Sequence, residues 1–158
     1  MLEKIDLEAI VQIAKDAGEA IMKIYIRDFT VEYKDDKSPL TVADLQSNEI
    51  ICSALERLTP NIPILSEENK TQDYSQRKDW EYFWCIDPID GTKEFVKKND
   101  EFTVNIALIH KDTPVLGVVY APAIGEMYKA KKGEGAFKNG QKLPLFVNHN
   151  PQDKLCVV

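Results

Sequence analysis

Apolar positions repeat at helical spacing in the first third of this chain and at strand spacing in much of the remainder. Over residues 6–27 they recur every three or four positions, which predicts an amphipathic helix with Asp6 as its N-cap. A second helix is predicted to start at Thr41 and to end before Pro60. Its inward-facing residues are predicted to be Leu45, Ile50, Ile51, Ala54, Leu55 and Leu58.

Strand-like segments dominate the rest of the sequence. Short strands are predicted at 29–33 and 62–65, and a longer apolar strand at 80–86. Asn139-Gly140 predicts a tight turn between two short segments. Two helices followed by a run of strands predict an α+β fold, in which two helices pack on an antiparallel sheet. The successive antiparallel strands are predicted at 102–110, 115–120 and 126–130.

Composition and charge narrow the class of protein. The 158 residues are 44% hydrophobic and 29% charged, which is ordinary for a globular domain with a real core. The net charge of −6 argues against a nucleic-acid polymer as partner, because no basic stripe would neutralise its phosphates. No apolar run approaches the roughly 20 residues that span a bilayer. The N-terminus does not resemble a signal peptide and the three cysteines are scattered, so we expect a cytoplasmic protein with reduced thiols.

The candidate chemistry centres on the hexapeptide 87–92, which directly follows the apolar strand. It presents two carboxylates with a carbonyl between them, then a glycine and a hydroxyl. Oxygen ligands at such close spacing suit a hard cation such as Mg²⁺, which usually also meets substrate phosphate. The competing interpretation is a plain surface turn, since Asp, Pro and Gly favour turns without any ligand. The residues are Asp87-Pro88-Ile89-Asp90-Gly91-Thr92.

A second acidic segment, Glu67-Glu68, follows the predicted strand 62–65. Two acids at the end of a strand are most often solvated charge. A third carboxylate that converged on Asp87 and Asp90 would instead complete a site for two cations, which can clamp the attacking and leaving oxygens of a phosphoryl transfer.

Asp44 and Thr92 each allow two interpretations. Thr41-x-x-Asp44 has the pattern of a capping box at a helix start, but Asp44 could also bond the Thr92 hydroxyl and help to activate a water. A helix that begins near Gly91 would point free backbone N–H groups at a phosphate, whereas the simpler alternative makes Thr92 an ordinary N-cap. The two interpretations of Asp44 are compatible.

Taken together, these motifs resemble the inositol-monophosphatase superfamily of Mg²⁺-dependent, Li⁺-sensitive phosphatases. The resemblance rests on the hexapeptide 87–92, on Ser66-Glu67-Glu68, and on Ser38-Pro39-Leu40-Thr41-x-x-Asp44, in that family's order. Within the superfamily, segments 91–95 and 101–108 resemble the 3'(2'),5'-bisphosphate nucleotidases, because Glu94 stands where inositol monophosphatases typically carry Asn. The fold implied is the N-terminal half of the layered sugar-phosphatase fold.

The resemblance also implies a set of metal ligands. Glu67, Asp87 and the Ile89 carbonyl would hold one Mg²⁺, and Asp87 and Asp90 would share a second. The implied substrate is adenosine 3',5'-bisphosphate, a small phosphorylated nucleotide, which would yield AMP and phosphate in a step tied to sulfur metabolism through sulfate assimilation.

The catalytic and substrate-binding residues follow from the same resemblance. Asp44 and Thr92 would be catalytic and would activate the attacking water, while backbone groups of Asp90, Gly91 and Thr92 would contact the phosphate. The full set of implied substrate-binding residues is Glu67, Ile89, Asp90, Gly91 and Thr92. An inositol or sugar phosphatase of the same superfamily is the nearest alternative.

The family pattern includes a second domain, with a further Asp ligand, that this sequence does not contain. We therefore expect residues 1–153 to form an N-terminal metal- and phosphate-binding domain and 154–158 to start the strand leading into an absent C-terminal domain. Activity is expected to be impaired in this chain, and the uncovered face could mediate homo-oligomer formation. A non-catalytic binding or assembly module is the alternative from another class.

Overall fold

Two long helices lie against one face of a seven-stranded sheet in the computed structural model, which describes residues 1–27, 39–69 and 73–144. A 3₁₀ turn, Leu2–Lys4, precedes the helices α1 (Leu7–Tyr25), α2 (Pro39–Leu58), α3 (Tyr74–Arg77) and α4 (Thr92–Lys97). The strands are β1 (Ile64–Ser66), β2 (Tyr82–Asp90), β3 (Thr103–His110), β4 (Thr113–Ala121), β5 (Glu126–Lys131), β6 (Gly135–Lys138) and β7 (Gln141–Lys142).

The strands lie in chain order across the sheet. β1 pairs with β2 in parallel, and every later pair is antiparallel. The predicted α+β fold and the predicted strands at 102–110, 115–120 and 126–130 are confirmed, and the turn at Asn139-Gly140 joins β6 to β7. The strand predicted at 29–33 lies outside the described residues.

Helix α1 forms where its apolar spacing predicts. The Asp6 carboxylate caps it by accepting a hydrogen bond from the Glu8 backbone N–H at 3.0 Å. Its apolar face packs on the middle of the sheet, against β3, β4 and β5. At its C-terminal end the Tyr25 hydroxyl donates a hydrogen bond to Asp100 Oδ1 at 2.8 Å, which ties the helix to the segment before β3.

Helix α2 differs from its prediction in both its start and its buried face. It begins at Pro39, two residues before Thr41, since proline at the first helical position loses no hydrogen bond. The prediction that Leu45 and Leu58 face inward is wrong, because these side chains are 42% and 43% exposed. The buried face follows the 3.6-residue period through two polar residues instead, and comprises Ala43, Asp44, Ser47, Ile51 and Leu55.

Strand β2 extends four residues beyond the predicted 80–86 and ends at Asp90. The acidic segment that was predicted as a turn is therefore the end of a strand. Trp84 anchors β2 in the core, where its side chain is fully buried and its indole Nε1 donates to Thr59 Oγ1 at 2.9 Å. This buried anchor fixes the strand on which the candidate site begins three residues later.

The two faces of the sheet differ in their covering. Val104, Ile106 and Leu108 alternate along β3 and are buried beneath the helices. On the opposite face, Cys85 is exposed and Val119 is 40% exposed. The sheet therefore has one covered face and one uncovered face. None of the described helices is long and apolar enough to cross a membrane.

We predict that Leu55→Ala lowers the free energy of unfolding by about 2–5 kcal/mol, because the removed side chain is fully buried and leaves a cavity. Leu58→Ala, at an exposed position of the same helix, should cost less than about 1 kcal/mol. Urea denaturation of both variants measures the difference. Equal losses would show that α2 buries a different face from the one that contains Leu55.

Candidate active site

The parallel pairing of β1 and β2 brings two acidic segments together. Ser66 lies opposite Ile86 in the register, so Glu67, which follows β1, lies beside Asp87 of β2. The Glu67 backbone N–H continues the pairing by donating to the Ile86 carbonyl at 3.3 Å. Parallel strands place their carboxyl ends at the same edge of a sheet, which is where binding sites commonly form.

The end of β2 is bulged against β3. Asp87 pairs with Asn105, and Asp90 pairs with Thr103. Between these two pairs β2 therefore contains one residue more than β3. Pro88 lies within the bulge, where its missing N–H costs no ladder hydrogen bond. Asp90 is held from the side by the Asn105 amide, whose Nδ2 donates to Asp90 Oδ2 at 3.1 Å.

Gly91 makes the connection from β2 to α4 possible. Its φ of +94° is a backbone conformation that residues other than glycine rarely adopt. A Cβ at this position would also lie 2.8 Å from the Glu101 carbonyl oxygen. Gly91 is also the N-cap residue of α4, and its carbonyl accepts from the Phe95 N–H at 2.9 Å. The alternative in which Thr92 is the N-cap is therefore wrong, since Thr92 is already the first helical residue.

Asp44 is a buried acid on α2 that faces this edge. It is 8% exposed, and burial raises its pKa to about 7, with further increases from the nearby charges of Glu68, Asp87 and Glu67 in that order. The capping-box interpretation of Thr41 and Asp44 is wrong, because α2 begins at Pro39 and Asp44 lies in its second turn.

The pKa of Asp87 is also raised, and Glu67 contributes to both increases. Burial raises the pKa of Asp87 to about 6, followed by the charges of Glu67 and Asp90 and by a hydrogen bond with the Glu67 carboxyl. Two of the three predicted metal-binding carboxylates, Glu67 and Asp87, are thus within hydrogen-bonding reach, and Asp90 is near enough to act on Asp87 electrostatically.

The donor chemistry of this cluster fits a hard divalent cation. Asp87 Oδ1 is buried and has no hydrogen-bond partner among the described residues. No hydrogen bond therefore offsets the free-energy cost of removing this carboxylate oxygen from water. The surrounding donors are oxygens with excess negative charge, which a cation would neutralise. The geometry is not that of a preassembled cluster, because no three His, Cys, Asp or Glu side chains in the described ranges are arranged to hold a metal ion.

Sequence reasoning located most of the acids but missed their polar supports. No hydrogen bond joins Asp44 to Thr92 in the part of the chain that the structure describes, although α2 and α4 are in contact, so that pairing stays a prediction. Glu68, the charge that contributes most to the raised pKa of Asp44, was named only as part of an acidic pair. Ser47, Asn48 and Asn105 were missed, and a usable signal for the first two was their position three and four residues after Asp44 on a helix.

Residues 3–158 match the Inositol monophosphatase family, and the chain belongs to that family. It is 50% identical over 130 residues to the 3'(2'),5'-bisphosphate nucleotidase CysQ of Salmonella typhimurium and 47% identical over 130 residues to that of Escherichia coli. Each alignment covers 81% of this chain and 52% of the relative, so the chain spans about half the length of the curated relatives it matches.

Two solved structures show the same relationship in three dimensions. CysQ from Bacteroides thetaiotaomicron, a bacterial member of the inositol monophosphatase family, matches with a TM-score of 0.82 and 38% identity over 91% of this chain and 59% of that one. The inositol monophosphatase from Anabaena matches with a TM-score of 0.68 and 27% identity, over 86% of this chain and 46% of that one.

We predict that Gly91→Ala destabilises the protein by more than the roughly 1–2 kcal/mol that a left-handed backbone costs an ordinary residue, because its Cβ would also collide with the Glu101 carbonyl. Gly125→Ala has a positive φ but an open Cβ position and should show the backbone cost alone. Gly117→Ala has neither burden. Urea denaturation should rank the losses in that order, and equal losses at Gly91 and Gly125 would contradict the close approach.

A second prediction concerns the pH dependence of the protein without divalent cations. The raised pKa of Asp44 means that the folded state keeps a proton which the unfolded chain releases above pH 3.8, so the free energy of unfolding falls as pH rises from about 4 to about 7. Asp44→Asn removes the contribution of Asp44 to this decrease, while the contribution of Asp87, whose pKa is raised to about 6, remains. We expect the variant to be more stable than the unmodified chain at pH 8, by about 1 kcal/mol or more, and to differ little from it at pH 4.

Thermal unfolding in EDTA across this pH range measures the effect. Glu56→Gln, an exposed substitution on the same helix, serves as the control and should change neither the stability nor its pH dependence appreciably. A pH profile for Asp44→Asn that is parallel to that of the unmodified chain would refute the assignment of the raised pKa to Asp44.

Proposed function

We propose that this chain carries the metal- and phosphate-binding part of a Mg²⁺-dependent phosphoric monoester hydrolase that removes the 3'-phosphate of adenosine 3',5'-bisphosphate. The single observation that carries the proposal is the placement of Glu67 beside Asp87 by the β1–β2 pairing, at the edge where the bulge presents Asp90. The 50% identity to the Salmonella 3'(2'),5'-bisphosphate nucleotidase over 130 residues supports this substrate class.

Four residues are proposed to hold the cations. Glu67, Asp87 and the Ile89 carbonyl would bind one ion, and Asp87 and Asp90 would share a second. Bound Mg²⁺ would supply charge neutralisation at the transferring phosphoryl group. The orphaned Asp87 Oδ1 supports this assignment, because a cation is the partner that a buried, uncompensated carboxylate oxygen lacks.

Asp44 and Thr92 are proposed as the catalytic residues. The water that attacks phosphorus would pass a proton to the Thr92 hydroxyl, which would pass its own to the Asp44 carboxylate. The bond from phosphorus to the 3'-oxygen would break with its electron pair on that oxygen, which would take a proton from solvent water to become the 3'-hydroxyl of AMP. A carboxylate with a pKa near 7 is suited to accept a proton near neutral pH, although bound cations would lower that value. Thr92 is exposed and so accessible to substrate.

Phosphate contacts are proposed for the backbone that follows the bulge. Gly91 has no side chain to obstruct a ligand, and Asp90, Gly91 and Thr92 lie where the chain turns from strand to helix. Glu67 and Ile89 would also line the substrate position. These are the phosphate contacts that the family motif implies, and we propose them for this chain.

Finer features of the proposal rest on family membership and composition. We propose Li⁺ sensitivity, a role in sulfur metabolism and a cytoplasmic location; Cys52 and Cys85, free thiols in the described ranges, accord with that location. Residues 1–153 would form the metal- and phosphate-binding domain. The strand start at 154–158 lies outside the described residues and stays a prediction, as do reduced turnover by this chain and association through the uncovered sheet face.

An inositol or sugar phosphatase is the second candidate. The solved inositol monophosphatase from Anabaena shares the fold at 27% identity, below the 50% shared with the Salmonella nucleotidase. Glu94, at the position where inositol monophosphatases typically carry Asn, also favours the nucleotidase.

We expect the 158-residue chain to bind Mg²⁺ and to release phosphate from adenosine 3',5'-bisphosphate faster than from inositol 1-phosphate. Isothermal titration calorimetry measures the first and a phosphate-release assay the second. Asp87→Asn should weaken Mg²⁺ binding by tenfold or more, because it removes a charge shared by both proposed ions. Asp112→Asn, a substitution in the β3–β4 turn, is the matched control and should leave binding unchanged.

The possible results separate the candidate functions. Faster release from inositol 1-phosphate would favour the second candidate. Absence of Mg²⁺ binding would overturn the proposal and favour the non-catalytic module. Mg²⁺ binding that Asp87→Asn leaves intact would exclude Asp87 as a ligand shared by two cations.

A further inference from the structure

One face of α2 carries three polar residues that point toward the candidate active site. Asp44, Ser47 and Asn48 stand at spacings of three and four residues, which places them on the same side of a helix. Asp44 has a proposed catalytic role, but the proposed reaction uses neither of the other two. Ser47 is fully buried, a position that a hydroxyl occupies at a cost unless it is hydrogen-bonded.

Ser47 bonds to the bulge of β2. Its hydroxyl donates to the Pro88 carbonyl at 2.9 Å, in a buried contact between residues 41 positions apart in the chain. Pro88 lies between Asp87 and the Ile89 carbonyl, both of which are proposed cation ligands. The position of α2 therefore fixes the position of the bulge that presents those ligands.

Asn48 bonds to the turn that carries Glu67. Its Oδ1 accepts from Ser66 Oγ at 2.6 Å, and its Nδ2 donates to Asn69 Oδ1 at 3.0 Å. Ser66 Oγ in turn accepts from the Glu68 backbone N–H at 3.3 Å. One amide on α2 therefore contacts the turn on both sides of Glu67 and Glu68.

These contacts oppose a force that the site itself creates. Glu67, Asp87 and Asp90 bear like charges when all three are ionised, and their repulsion then tends to move the turn after β1 away from β2. β1 has only three residues and, among the described strands, pairs with β2 alone, so this short ladder offers little resistance. The hydrogen bonds from α2 hold the two segments at a fixed separation while they repel each other.

We propose that Ser47 and Asn48 are positioning residues, which set the distance between Glu67 and the Asp87–Asp90 bulge before a divalent cation binds. The inference rests on the proposed function, since it assigns the two residues a role in the affinity of that site. A purely structural role would predict lower stability with unchanged cation affinity. A positioning role predicts weaker cation binding in variants that remain folded.

The test uses the full 158-residue chain with Ser47→Ala, Asn48→Ala and Ser66→Ala. Mg²⁺ affinity is measured by calorimetry at a temperature where circular dichroism shows each variant to be folded. We expect about a tenfold or greater loss of affinity for Ser47→Ala and for Asn48→Ala, the range typical of residues that orient metal ligands. Ser53→Ala and Gln46→Ala, at other positions of α2, are the matched controls and should bind Mg²⁺ normally.

A double variant tests whether Asn48 acts through Ser66. If it does, Asn48→Ala combined with Ser66→Ala should lose little more affinity than either alone. Amide hydrogen exchange in EDTA provides a readout that needs no cation. The Glu68 N–H should exchange faster in Asn48→Ala than in the unmodified chain, because the turn is no longer held.

The outcomes distinguish this inference from the proposed function. Normal Mg²⁺ affinity in both Ser47→Ala and Asn48→Ala would overturn the positioning role while leaving the proposed function intact. A chain that binds no Mg²⁺ would overturn the proposed function, and hydrogen exchange would then decide alone: unchanged exchange at Glu68 in Asn48→Ala would refute the hold on the turn.

Discussion

The structure depends on keeping several carboxylates close together despite their mutual repulsion. Burial raises the pKa of Asp44 and of Asp87, and the neighbouring acids raise both further: Glu68, Asp87 and Glu67 act on Asp44, and Glu67 and Asp90 act on Asp87. The core supplies the opposing stability, since Trp84 and the buried residues of β3 anchor the strands that carry the acids. A protein without a use for this charge would gain stability by dispersing it, and the cluster therefore supports the function proposed for this site.

The end of β2 shows how a regular sheet can present irregular ligands. Strand geometry continues through Pro88 only because the pairing with β1 has stopped at Ile86 and the pairing with β3 is bulged. The same irregularity frees the Pro88 carbonyl from the ladder, and the Ser47 hydroxyl takes it up. Gly91 then turns the chain into α4 with almost no space to spare beside Glu101. The bulge and the turn at Gly91 are thus each matched by a specific neighbour, Ser47 for the bulge and Glu101 for the turn.

How far the sequence predicted the structure depended on the range of the interactions involved. Helix α1 and its Asp6 cap, and the antiparallel strands from β3 onward, follow from local periodicity and turn residues and were predicted. The prediction of the buried face of α2 was wrong at Leu45 and Leu58. It counted only apolar residues, whereas the buried positions include Asp44 and Ser47. The acids at 67, 87 and 90 were found through a motif. Their supports, Asn48 and Asn105, depend on contacts between distant segments, which periodicity does not encode.

The parallel pairing of β1 with β2 has a consequence for the order of folding. From β2 onward, each described strand pairs with the next one along the chain, mostly through short turns, so those contacts close small loops and can form early. β1 is joined to β2 by a longer connection, 67–81, and brings only three residues to the ladder. We therefore infer that β1 pairs with β2 late in folding and separates from it first in unfolding. The remaining strands can then stay paired while Glu67 is transiently separated from Asp87.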